Sequence, residues 1–288
     1  MKHIHARTAA LAAFSLATLV TGCDDSDPAG PSTQNVTINF LAKAGTAAIG
    51  CDAAATGMGV AVDKTLAIKD FRFYVSGVEL ITASGARVPV TLTNNTWQRQ
   101  EGSQNVALLD FTNKDSGCSG VAKAMNSTVT GTVPSGTYTG VEFELGVPAG
   151  LNHTASADAP APLNVLAMAW SWQAGRKFVK LESSWDNAGT PVNQTFHLGS
   201  TGCTGGDAVH PETVTCTSPY RPTVTLNAFN AASDVIVADY KTLLASTDLS
   251  ASFACMPGSS ALCQEITRIA GADTSGVSNG TQAFFRVE

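Results

Sequence analysis

From residue 36 to the C-terminus the chain runs through short segments in which apolar and polar side chains alternate. Val36, Ile38 and Phe40 fall on one strand face. Phe71, Phe73 and Val75 fall on another, with Arg72 and Tyr74 opposite. The same period of two predicts strands at 88–92, 106–111, 128–133, 138–145, 163–172, 177–181, 195–198, 224–226, 235–238 and 284–287. Gly, Pro, Asn and Ser punctuate these segments, as turns require. Two short helices are expected, near 240–245 and 261–270. The pattern predicts an all-β chain: one antiparallel β-sandwich or barrel-like domain over 36–288, with long loops, disulfides and one or two short helices.

The N-terminus has a different pattern. Lys2 and Arg7 precede an apolar run, residues 9–20, too short for a bilayer span of about 20 helical residues. The run ends Leu19-Val20-Thr21-Gly22-Cys23, which has the form of a bacterial lipobox. Residues 1–22 are therefore expected to be a lipoprotein signal peptide, with Cys23 as the lipidated first residue. Asp24, Asp25, Asp27, Pro28 and Gly30 follow, and 23–35 reads as a flexible tether. This places the protein in the bacterial cell envelope, held to a membrane by its lipid and facing the periplasm or the cell surface.

Composition narrows the classes. Charged residues are 14% of the 288, against about 25% in ordinary soluble domains, and 44% are hydrophobic. A charged disordered chain and a coiled coil are excluded. The net charge of −6 and the lack of a basic run argue against nucleic acid as a partner. With Cys23 assigned to lipid, Cys51, Cys118, Cys203, Cys216, Cys255 and Cys263 remain. An even number in an oxidising compartment points to three disulfides. Cys203 with Cys216 and Cys255 with Cys263 would close short loops, which leaves Cys51 with Cys118. No CxxC occurs, so zinc-ribbon and thioredoxin-type chemistry have no support.

Beyond the signal segment the histidines are His153, His197 and His210. His153 closes a Gly/Pro-rich loop. His197 is expected to point away from the face that carries Phe196 and Leu198. Met168, Trp170 and Trp172 fall on one face of the segment predicted as a strand at 163–172. Imidazole and thioether suit copper, so these residues are candidate ligands. Taken alone, they read more readily as core packing and as surface or hydrogen-bonded histidines. His210 lies within the short Cys203 to Cys216 loop and reads as a surface residue. Gly276-Val277-Ser278-Asn279-Gly280 fits the nucleophile-elbow pattern, but no His follows it, as that fold's order demands. Neither a blue-copper Cys-His-Met pattern nor a distinctive carboxylate pair is present. No residue pattern marks a catalytic centre, and the chain is expected not to be an enzyme.

Several longer blocks resemble the MbnP-like copper-binding proteins, the four-Cys partners of metallo-mystery pair systems. They are Asp70-Phe71-Arg72-Phe73-Tyr74-Val75-Ser76, Asn105-Val106-Ala107-Leu108-Leu109-Asp110-Phe111, Gly146-Val147-Pro148 and Leu151-Asn152-His153. Further on come Met168-Ala169-Trp170-Ser171-Trp172-Gln173-Ala174-Gly175-Arg176-Lys177-Phe178, His197-Leu198-Gly199-Ser200-Thr201-Gly202-Cys203 and the tail Gln282-Ala283-Phe284-Phe285-Arg286-Val287-Glu288. The chain departs from the four-Cys pattern by having six cysteines beyond Cys23. The resemblance implies one copper ion held by two His and a kynurenine made from Trp, as in secreted copper-uptake proteins of methane oxidisers. It also implies a dihaem, cytochrome c peroxidase-like partner that oxidises the tryptophan. Carried onto this chain, His153 and His197 are the ligand pair and Trp172 or Trp170 is the modified residue, Trp172 being preferred. Met168 is a soft neighbour. An indole N–H is a donor only, whereas ring opening frees an aryl amine that copper accepts.

Two other readings stand beside this one: a structural or adhesive β-domain lipoprotein without metal, and a redox-modified substrate of the dihaem partner for which copper is incidental.

Overall fold

A computed structural model of the chain describes residues 32–288 apart from residue 208. The expected signal peptide, 1–22, and Cys23, expected to carry the lipid, fall outside the described residues. Residues Thr33–Glu288 form one compact unit. Its first strand starts at Thr33, inside the segment read as a tether.

Two sheets face each other across the core. The larger is organised on one strand, Lys64–Thr82, which is long enough to change partners along both edges. On one edge its first half pairs with Val179–Asn187 and its second half with Tyr138–Leu145. On the other edge it pairs with Gln104–Asp110 and then with Arg87–Pro89. Thr190–Leu198 and Phe253–Cys255 extend the sheet beyond Val179–Asn187, and Thr223–Leu226 borders Tyr138–Leu145. The smaller sheet runs Phe285–Val287, Val235–Asp239, Thr33–Ala44, Thr128–Pro134, Thr91–Leu92. Most pairings are antiparallel, as predicted. Thr33–Ala44 with Val235–Asp239 and Thr190–Leu198 with Phe253–Cys255 are parallel, because the C-terminal third returns to each sheet through a long crossover.

Alternation decides what enters the core. In Thr33–Ala44 the residues Val36, Ile38, Phe40, Ala42 and Ala44 are buried while their neighbours face outward. They meet Phe71, Phe73, Phe143, Phe196 and Leu198 from the larger sheet. The Phe285 ring joins the two layers, with centroids 5.2 Å from Phe143 and 5.4 Å from Phe73. Such edge-on aromatic contacts add about 1 kcal/mol each beyond area burial.

In the middle of Lys64–Thr82 the alternation between buried and exposed residues stops. Residues 70–76 are all buried, because the outer face of the larger sheet is covered as well. Tyr74, Val106 and Leu108 form a second apolar cluster there with Val147, Leu151, Leu163, Met168 and Phe178. The Tyr74 hydroxyl donates to the Pro162 carbonyl at 2.9 Å. Beside it lie buried charges: Arg72 Nε donates to Asp70 at 2.7 Å, Lys180 also pairs with Asp70, and Lys123 reaches Asp110 at 2.6 Å. The chain from 146 to 178 thus forms a lid on one sheet face.

The three disulfides join Cys51 to Cys118, Cys203 to Cys216 and Cys255 to Cys263, the pairing that loop length predicted. Helices at Tyr240–Leu243 and Ala261–Ile269 match the two expected. The second is capped by Ser260, whose hydroxyl accepts from the Cys263 N–H at 3.2 Å.

Candidate metal centre

The lid leaves the sheet at Gly146, whose N–H donates to the Tyr74 carbonyl at 2.8 Å. A Cβ at Gly146 would lie 2.8 Å from the Phe178 ring, so only glycine lets the two ends of the lid approach. A one-turn helix, Ala149–Asn152, follows and ends on His153.

The segment 163–172 is not a strand, contrary to its alternation. Leu166–Met168 is a single 3-10 turn. Residues 168–177 then fold back as a tight hairpin: Lys177 N–H donates to the Met168 carbonyl at 2.7 Å, Trp170 to Gly175 at 3.1 Å and Gly175 to Ser171 at 2.8 Å. The apolar residues here cover a sheet from outside, so nothing requires the segment to pair within one. Met168, Trp170 and Trp172 therefore do not share a strand face.

Arg176 ties the lid together. Only 1% of it is exposed, and among the described residues no carboxylate pairs with it. Its guanidinium instead donates to the carbonyls of Asn152 at 2.6 Å, Leu163 at 2.9 Å and Thr154. Burial pushes its pKa down from the ordinary value. The residues on either side of His153 are thus fixed by one planar cation with several donors in a rigid fork.

His153 is 2% exposed. Nδ1 lies 3.2 Å from the carbonyl of Trp172, which only accepts, so Nδ1 carries the proton. The lone pair is then on Nε2, 3.2 Å from Asn152 Nδ2 and 3.5 Å from Cys216 Sγ. The Asn152 amide is oriented by the Arg176 N–H, which donates to its Oδ1 at 2.8 Å. Desolvation lowers the His153 pKa, which favours the neutral imidazole that a metal requires.

His197 points outward from strand Thr190–Leu198, while Phe196 and Leu198 enter the core, as the alternation predicted. Its Nε2 lies 2.7 Å from Glu182 Oε1 on the neighbouring strand. Glu182 also receives Lys180 at 3.0 Å. These bonds, that of His197 first, hold the carboxyl at about 2, well below the ordinary range. With Nε2–H donating to Glu182, Nδ1 bears the lone pair, and it is buried with no partner among the described residues.

Each tryptophan lies beside the segment of one histidine. Trp172, half-buried, supplies the carbonyl that orients His153. The Trp170 ring packs on Gly199, two residues after His197, where a Cβ would stand 2.5 Å from Cζ3. Lys177 Nζ lies 6.0 Å from the Trp170 ring centroid. Trp170 and Cys203 also border an open cleft with Ser171, Gln173, Ser200 and Met256. Met168 is fully buried in the apolar cluster beside Tyr74 and Phe178. Trp97 packs against the edge of that cluster, and Trp185 donates to the Leu249 carbonyl at 2.8 Å, so neither joins the centre. The His210 side chain is 63% exposed. Ser278 of the nucleophile-elbow pattern bonds the backbone of Thr223 in a loop.

The sequence reading missed Glu182, Asn152, Arg176 and Gly199. Alternation places His197 facing outward, but Glu182 lies just past the strand predicted at 177–181, and the strand register brings the two together.

Imidazole nitrogens suit a late transition metal, and each histidine has one ring nitrogen engaged by an oxygen, the Trp172 carbonyl for His153 and the Glu182 carboxylate for His197. Comparison with known proteins agrees on the lineage. Comparison with curated proteins gives no match. Among solved structures, MbnP from Methylosinus trichosporium superposes with a TM-score of 0.79 at 31% identity, covering 89% of this chain and 98% of that one. The MbnP family profile matches residues 33–257, and the chain belongs to the MbnP family.

Proposed function

We propose that the protein is an exported lipoprotein, anchored through Cys23, that binds one copper ion for acquisition or homeostasis in the cell envelope. His153 and His197 are the imidazole ligands. The aryl amine of a kynurenine made from Trp172, or from Trp170, completes the set. The observation that carries this reading is the buried Nδ1 of His197, which has no hydrogen-bond partner among the described residues while Glu182 engages the opposite nitrogen. A buried imidazole nitrogen without a hydrogen bond carries a desolvation cost that a bound ion would relieve.

The chain's own residues prepare the site. Glu182 and the Trp172 carbonyl set the two tautomers, Arg176 holds the segment around His153, and Gly199 seats the Trp170 ring. Bound copper would supply only a coordination centre, so the protein acts as a binder and not as a catalyst. Ring opening of the indole inserts two oxygen atoms across its C2–C3 bond, and hydrolysis then removes the formyl group. Two equivalents of peroxide, used by the dihaem partner, supply the two oxygen atoms and leave as two waters, and the formyl carbon departs as formate. The half-exposed setting of both indoles suits access from outside.

The test is copper retention by protein produced together with its dihaem partner. The wild type keeps one copper per chain through gel filtration against a chelator, and a variant carrying both His153→Ala and His197→Ala keeps none. Equal retention by a folded double variant overturns the assignment.

A further inference from the structure

The Cys203–Cys216 disulfide lies against the lone-pair side of His153. The two cysteines face each other directly across the ribbon formed by Thr201–Thr204 and Thr215–Ser218. Sγ of Cys216 is 3.5 Å from His153 Nε2. One ligand atom from each of the three residues lies within 4.8 Å of the others. Two sulfurs and an imidazole nitrogen bound to one tetrahedral ion at ordinary bond lengths of about 2.3 and 2.0 Å put S and N roughly 3.6 Å apart. The Cys216 spacing therefore already matches that of a metal site; an ion there requires the S–S bond to open and the Asn152 amide, 3.2 Å from Nε2, to give up that contact.

We propose that Cys203, Cys216 and His153 form a second, redox-gated site for a cuprous ion, closed as the disulfide and opened by a dithiol reductant of the envelope. Opening transfers two electrons and two protons from the dithiol to the Sγ–Sγ bond. The dithiol becomes its own disulfide, and each cysteine becomes a thiol. On binding the ion the two thiols release their protons to water and ligate as thiolates, which prefer a soft cation. Ribbon pairing at Thr201 with Ser218 and at Thr204 with Thr215 keeps the two sulfurs close after reduction. His153 is already aimed, because its Nδ1–H is engaged by the Trp172 carbonyl. This site needs no modified tryptophan, but it draws on a histidine that the proposed copper centre also uses. Reduction would thus withdraw His153 from that centre.

The experiment uses the full chain produced without the dihaem partner, so its outcome is separate from that of the proposed function. Protein reduced with a phosphine under anaerobic conditions is titrated with Cu(I) against a chromophoric chelator. The same is done for oxidised protein, for a variant carrying both Cys203→Ser and Cys216→Ser, and for His153→Ala. The expected result is one more Cu(I) per chain for reduced wild type than for the reduced cysteine variant, with a thiolate-to-copper absorption in the ultraviolet. Affinity should fall at least about tenfold in His153→Ala. Equal uptake by reduced wild type and the cysteine variant overturns the proposal, as does unchanged affinity in His153→Ala. A readout without any variant is alkylation of the reduced wild type followed by peptide mass analysis. Protection of Cys203 and Cys216 by Cu(I) supports the site, and full alkylation of both overturns it.

Discussion

The Glu182 carboxylate accepts from Nε2 of His197 at 2.7 Å, and the opposite ring nitrogen, Nδ1, is buried with no partner among the described residues. The pairing of strands Val179–Asn187 and Thr190–Leu198 sets this contact, by placing Lys180 opposite His197 and Glu182 one step along the same face. It is the arrangement by which proteins hold a ligating imidazole in one tautomer. Glu182→Gln keeps the shape but removes the charge. We expect copper retention in the matured protein to weaken about 10- to 100-fold with the fold intact, as read by chelator competition and circular dichroism. Unchanged affinity would remove Glu182 from the account.

The same carboxyl gives an acid signature. Its folded value, about 2, lies below its ordinary value near 4.5, so the ionised form is favoured in the native state. The stabilisation is complete above about pH 4.5 and is lost as pH falls toward 2. Denaturation midpoints of the metal-free wild type should fall through that window, and those of Glu182→Gln should fall less. Parallel curves for the two proteins would show that Glu182 contributes nothing to acid stability.

Arg176 fixes the lid by donating to three backbone carbonyls, with no carboxylate partner among the described residues. Arg176→Met leaves those carbonyls buried and unpaired, and the expected loss is about 3 kcal/mol in urea unfolding. His153, between Asn152 and Thr154, should lose its place with it, so copper retention falls in parallel. A loss under about 1 kcal/mol would contradict this role.

Gly199 seats the Trp170 ring. A methyl group there would lie 2.5 Å from Cζ3 of Trp170 and 2.7 Å from the Arg176 carbonyl. Gly199→Ala should displace the indole, change the near-ultraviolet circular dichroism and cost about 1–3 kcal/mol, as overpacking does. An unaltered aromatic spectrum would show that the ring is not held there.

Much of the fold was legible in the sequence because alternation states which residues a sheet must bury. Tyr138–Leu145 has the predicted limits, and Phe71 and Phe73 enter the core as read. The segment 163–172 was misread for a physical reason: Met168 and Leu163 bury themselves on the outside of a sheet, where apolar residues need no strand period. The histidines were legible as candidates by residue type and by resemblance. Their partners were not, since strand register brings Glu182 to His197 and the lid brings Cys216 to His153 across 63 residues. Alternation gives the direction of a side chain but not its neighbour.

The central claim is tested most directly by peptide mass mapping of residues 163–177 from protein isolated out of its native envelope, with metal analysis on the same sample. The account predicts one tryptophan, at 172 or 170, converted to kynurenine, together with one copper per chain. Two intact indoles in a sample that nevertheless holds stoichiometric copper would contradict it, and so would a converted tryptophan in protein that never retains the metal.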